Sequence, residues 1–152
     1  MNALETTLLH YISIAVELNS AFDFVRTPGH WPNWHPSSLR LYGDVNRRLG
    51  VGDSFEEDIC AAGRKARLRW QVVTCVPPTL WTAHARADNG VLLQLSYRLA
   101  QHGDRVHFKR ELSYRVSGWW LNLLNFMLLR RRIAAESKIS LSQLRTLLER
   151  EF

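Results

Sequence analysis

The sequence predicts an α+β fold: a curved antiparallel sheet of seven strands, two short helices after the first strand and one long C-terminal helix, in the order β-α-α-β6-α. Three observations predict it. Seven segments between residues 6 and 116 alternate apolar with polar side chains, the period of a half-buried strand. Asn89-Gly90 and Gly103-Asp104 are hairpin signals, so strands adjacent in sequence should pair antiparallel. After Gly118 the chain has no proline or glycine, is rich in Leu, Ala, Glu and Arg, and repeats at helical spacing.

The elements follow in order. "TTLLHYISIAVEL" reads as a strand over 6–18. Asn19 or Ser20 offers a cap for a short helix through "SAFDFVRT", which Pro28-Gly29 stops. "GHWPNW" supplies one further helical turn. Strands are then expected at 38–45, 53–62, 64–76, 80–87, 91–101 and 105–116, each bounded by glycine, proline, Asp or Asn. The terminal helix runs to the end of the chain over about 30 residues, with a break expected near Arg130–Arg132. Leu141, Leu144 and Leu148 share one of its faces with Ser137.

A chain of 152 residues fits one domain, 1–152, with a sizeable core. Its apolar content and six tryptophans exclude a disordered chain. The longest apolar run, "WWLNLLNFMLL", is too short to span a bilayer and holds two asparagines. "MNALETTLLHY" carries no pattern of a secretion signal, and a cytoplasmic location is expected. Cys60 and Cys75 belong to no metal-spaced cluster and are expected as small half-buried strand residues. The net charge of +6 is spread along the chain without a nucleic-acid motif, so a solvated basic surface is expected and no nucleic-acid partner. No metal and no cofactor is expected.

One face of such a sheet is apolar and needs a cover, and only the C-terminal helix is large enough. Seven twisted strands curve, and a single helix cannot fill their concavity, so a cavity between sheet and helix follows. Period two sorts its lining. The inward residues are Phe55, Glu57 and Ile59, then Ala66, Leu68, Trp70 and Val72. Leu93, Leu95, Tyr97 and Leu99 follow, then Val106, Phe108, Arg110, Leu112 and Tyr114. In 80–87, Trp81, Ala83 and Ala85 turn in while His84 and Arg86 turn out. Glu57 and Arg110 are charges in phase with apolar neighbours. Each needs a route to water near a strand end, a mutual ion pair, or a ligand: Arg110 would then hold a carboxylate or phosphate.

In this order the sequence resembles the START-like (SRPBCC) superfamily, in its polyketide cyclase/dehydrase branch, which shares a helix-grip fold with the birch-pollen-allergen proteins. "VELNSAFDFV" is like that family's passage from first strand to helix. "TPGHWPNWHP", "LGVGDSFEED", "VVTCVPPTLWTAHA" and the closing "SLSQLRTLLE" match its later pieces in sequence, over nearly the whole chain. Arg47-Arg48 and Gly118-Trp119-Trp120 are outside its hallmarks. The resemblance implies a deep apolar cavity for a lipid, fatty acid or polyketide-like molecule, and a "HWPNWHP" segment at its mouth.

Within that segment His30 and His35 lack a third ligand for metal and a local partner for acid–base work. Trp34 is expected to point inward and line the pocket, Trp31 to be partly exposed at the rim, and both histidines to be solvated. Taken together, the expected ligand contacts are Trp34, Phe55, Glu57, Leu68, Trp70, Leu95, Tyr97, Phe108, Arg110, Leu112 and Tyr114. No nucleophile elbow, HExxH or phosphate loop is present. Binding of a small hydrophobic molecule is the first reading, and a cyclase/aromatase-type or lyase-type enzyme in the same cavity is the alternative. A third reading sets "WWLNLLNFMLLRRR" against an anionic membrane surface. The sequence leaves oligomeric state open.

Overall fold

The computed structural model describes residues 4–116 and 123–152. β1 (Leu4–Ile14) leads into α1 (Leu18–Val25) and a 3-10 segment (Pro28–Asn33). Six strands follow: β2 (Ser38–Tyr42), β3 (Ser54–Ala61), β4 (Arg64–Val76), β5 (Leu80–Ala87), β6 (Leu92–His102) and β7 (Arg105–Val116). α2 (Leu123–Glu151) completes the chain. The strands form one antiparallel sheet in the order β1-β7-β6-β5-β4-β3-β2, so the first strand closes onto the last and every other pairing is with a sequence neighbour.

Three departures from the sequence expectation are larger than a residue or two at an element's end. β1 stops at Ile14, four residues early, because Glu17 rather than Asn19 or Ser20 caps α1. Its carboxylate accepts the Asn19 and Ser20 amides at 3.0 and 2.9 Å, satisfying donors that a first helical turn leaves free. Glu17→Ala should therefore lower the melting temperature slightly and Glu17→Asp restore it; calorimetry on the two variants checks this. β2 ends at Tyr42, where Gly43 takes a positive φ of 107° that other residues rarely adopt. α2 passes through Arg130–Arg132 unbroken, and the expected start of this helix near residue 119 lies outside the described residues.

The buried face of α2 carries Ser137, Ser140, Leu141, Leu144 and Leu148, the i, i+3, i+4 stripe of a helix on a sheet. Its C-terminal half is apolar where it meets β1, and Glu149 accepts the Ala15 amide at 2.8 Å. Farther back, Glu136 accepts the amide of Ala62 at 2.9 Å, fastening the β3–β4 turn to the helix. Next to Glu136 the buried face presents Ser137 and Ser140 in place of leucines. Arg67, Arg69, Arg86, Arg98 and Arg115 are exposed on strand positions that alternate with the buried ones. Cys60 and Cys75 are free and half-buried. Among the described residues no helix is long and apolar enough to cross a membrane.

Candidate functional site

A cavity of about 130 Å³ lies between the sheet and α2. Leu68, Leu95, Leu112, Trp70, Trp31 and, from the helix, Leu129 and Ile133 supply its apolar wall. Its polar lining includes His35, Glu57, Arg110, Ser137 and Ser140, all five buried, and Ser37, Arg64, Asn89 and Glu136, which are half-buried or exposed. Few polar groups in a mostly apolar wall is the composition of a small-molecule site.

Seven of the eleven expected contacts line this cavity: Glu57, Leu68, Trp70, Leu95, Arg110, Leu112 and Tyr114. Trp34, Phe55, Tyr97 and Phe108 are buried behind the lining. The tryptophan assignment is corrected: Trp31, expected at the rim, is 2% exposed and lines the cavity, while Trp34 is fully buried outside it. A 3-10 segment repeats every three residues, so Pro28, Trp31 and Trp34 fall on one side and turn inward together. The Trp31 ring meets Phe55, Trp70, Trp81 and Tyr97 edge-on at 5.4–6.4 Å, and its Nε1–H donates to the Val25 carbonyl at 3.0 Å.

The histidines are corrected too. His30 is half-buried and stacks on Phe24 with centroids 4.3 Å apart. His35 is buried, stacks on Trp34 at 3.8 Å, and its Nε2 shares a hydrogen bond with the Tyr97 hydroxyl at 3.2 Å. Burial, helped by the Arg110 charge, holds its pKa well below the ordinary histidine value, so the ring is neutral. Burial likewise raises the Tyr97 hydroxyl, which stays protonated.

Neither charge escapes to a strand end. Glu57 is 4% and Arg110 8% exposed, because Glu57 sits opposite Leu68 and Arg110 opposite Tyr97 in mid-sheet. They form no ion pair with each other. Glu57 accepts the Trp70 indole N–H at 3.0 Å. Burial pushes its pKa up to about 7, against the opposing pull of Ser38, Trp70 and Arg110. The Arg110 guanidinium donates to Ser137 Oγ at 2.9 Å, and its Nε has no partner among the described residues.

His35, Trp31, Ser137 and Ser140 were not among the expected contacts. Ser137 had a sequence signal, a polar residue on the leucine face of α2; His35 had none, since it follows the 3-10 segment and is turned in where its backbone N–H closes onto the Trp31 carbonyl at 2.7 Å. Among the described residues no group of three or more His, Cys, Asp or Glu is placed to hold a metal. The stretch read against a membrane begins outside the described residues; from residue 127 onward, Met127, Leu128 and Arg130–Arg132 are exposed.

A curved sheet gripping a long terminal helix over an internal cavity defines a helix-grip protein. The chain belongs to the polyketide cyclase/dehydrase and lipid transport family, whose model matches residues 5–149. Its fold is similar to that of the Zhui aromatase/cyclase from Streptomyces sp. R1128, with a TM-score of 0.78, 11% identity, and 97% of this chain and 96% of that one covered. The di-domain aromatase/cyclase StfQ of the steffimycin biosynthetic pathway gives a TM-score of 0.77 at 16% identity, covering 97% of this chain and 52% of that one. Ara h 8.0201 gives 0.66 at 11% identity, with 95% and 97% covered. At these identities the likeness is one of fold. No curated protein matches the chain by sequence.

Proposed function

We propose that residues 1–152 form one ligand-binding domain that takes a small hydrophobic molecule into the cavity between the sheet and α2. The observation that carries this is the apolar wall of Leu68, Leu95, Leu112 and Trp70 around a few buried polar groups. The family description, which includes lipid transport, supports it. Leu95→Trp places a bulky ring in the cavity wall. Calorimetric titration with toluene should show binding by the native protein and its loss, by at least about tenfold, in Leu95→Trp. A native protein that takes up no toluene would overturn the proposal.

A cyclase-type enzyme in the same cavity is the second reading, and Glu57 favours it. A carboxyl near neutrality in its pKa, facing the cavity, is suited to accept and return a proton. The aromatase/cyclase names of two structural neighbours agree with this reading. Aromatic absorbance developing from a short poly-β-ketone, and its absence with Glu57→Gln, would establish it.

A further inference from the structure

We propose that the ligand is a small carboxylate, of about the bulk of a single ring, whose charge is held by Arg110. The inference rests on the cavity being a binding site and narrows what it binds.

Arg110 lies in the middle of β7, between Phe108 and Leu112 on the inward face, and lines the cavity. Its guanidinium is a permanent cation. Among the described residues it makes no ion pair, its hydrogen-bond partners are the neutral hydroxyls of Ser137 and Tyr97, and Nε is without an acceptor. No carboxylate makes contact with the guanidinium: His35 and Tyr97 are neutral, Glu57 hydrogen-bonds Trp70 and acts on Arg110 only through space, and Glu136 accepts the Ala62 amide. A buried, unpaired guanidinium is strongly unfavourable. A ligand carboxylate matches it: two oxygens in the plane of a fork that presents parallel N–H donors. Ser137, across the cavity on α2, keeps the fork turned toward the open space.

Size gives the second half of the inference. A cavity of about 130 Å³ is close to an apolar cavity of about 150 Å³ that admits benzene. A long acyl chain or a fused-ring polyketide exceeds it. The sequence expectation of a lipid, fatty acid or polyketide-like ligand is thereby narrowed to a short or single-ring acid.

The test compares benzoate, its neutral counterpart benzamide, and toluene by calorimetric titration at neutral pH. The native protein should bind benzoate at least about tenfold more tightly than benzamide. Arg110→Met should erase that preference while still taking up toluene, and Arg110→Lys should retain part of it. Equal affinity of the native protein for benzoate and benzamide would overturn the carboxylate inference and leave the cavity reading standing. Binding of none of the three would overturn both. The comparison within the native protein decides even if the Arg110 variants fail to fold.

Discussion

Trp31→Ala will lower the stability of the folded chain by about 4 kcal/mol, the largest single-site effect expected in this protein. The ring is 2% exposed and touches aromatic rings from four strands: Phe55 of β3, Trp70 of β4, Trp81 of β5 and Tyr97 of β6. Its removal leaves those rings without a common neighbour and unpairs the Val25 carbonyl. Set against a total of roughly 5–15 kcal/mol for a typical domain, this is a large share. A milder pair of variants separates packing from hydrogen bonding. Trp31→Phe keeps a ring but orphans Val25, whereas the Trp34 indole nitrogen has no partner among the described residues. Trp31→Phe should therefore cost about 1 kcal/mol more than Trp34→Phe in urea denaturation. The reverse order would mean that Trp34, and not Trp31, is the hub of the aromatic cluster.

Glu57→Gln will stabilise the protein at pH 8 by about 2–3 kcal/mol and leave it little changed near pH 4. In the unfolded chain this carboxyl titrates near 4.5, and in the folded protein near 7. Between those values the folded state still holds a proton that the unfolded state has released. Stability contributed by Glu57 therefore falls as pH rises from about 4.5 to about 7, then levels off. Gln keeps the acceptor for the Trp70 N–H and removes the buried charge. His35 slopes the other way: its folded pKa is lowered, so protonation of the unfolded chain below 6.5 withdraws stability as pH falls. His10 and His30, also lowered by burial, add to that slope. The native protein should thus show a shallow profile between the two, and Glu57→Gln should expose the histidine slope alone. Urea midpoints at about pH 5, 6.5 and 8 would show it; a variant less stable than the native protein at pH 8 contradicts the assignment.

The parts of this molecule that sequence alone made legible are those in which one local rule decides. β4, β5 and β7 start and stop where expected, because alternation and flanking turn residues act within a few positions. The terminal helix is equally plain from its leucine stripe. Glu57 and Arg110 stood out as charges in an apolar phase, yet their depth was hidden. Whether a strand residue sits in mid-sheet depends on the register of its neighbours, which pairs Glu57 with Leu68 and Arg110 with Tyr97. The "HWPNWHP" segment misled for a different reason. A period of two puts Trp31 and Trp34 on opposite faces, whereas the three-residue repeat of a 3-10 turn sends both inward. His35 followed them, and no feature of its own residue type announced that.

Among the described residues, the tryptophans Trp31 and Trp70 stand in the wall of the cavity, almost dry. Indole emission is sensitive to what lies against the ring, so the molecule carries its own optical gauge of occupancy. Light emitted by these two rings will change as the hollow fills, with no label attached, and a Trp70→Phe protein will report from Trp31 on the side of the 3-10 turn alone.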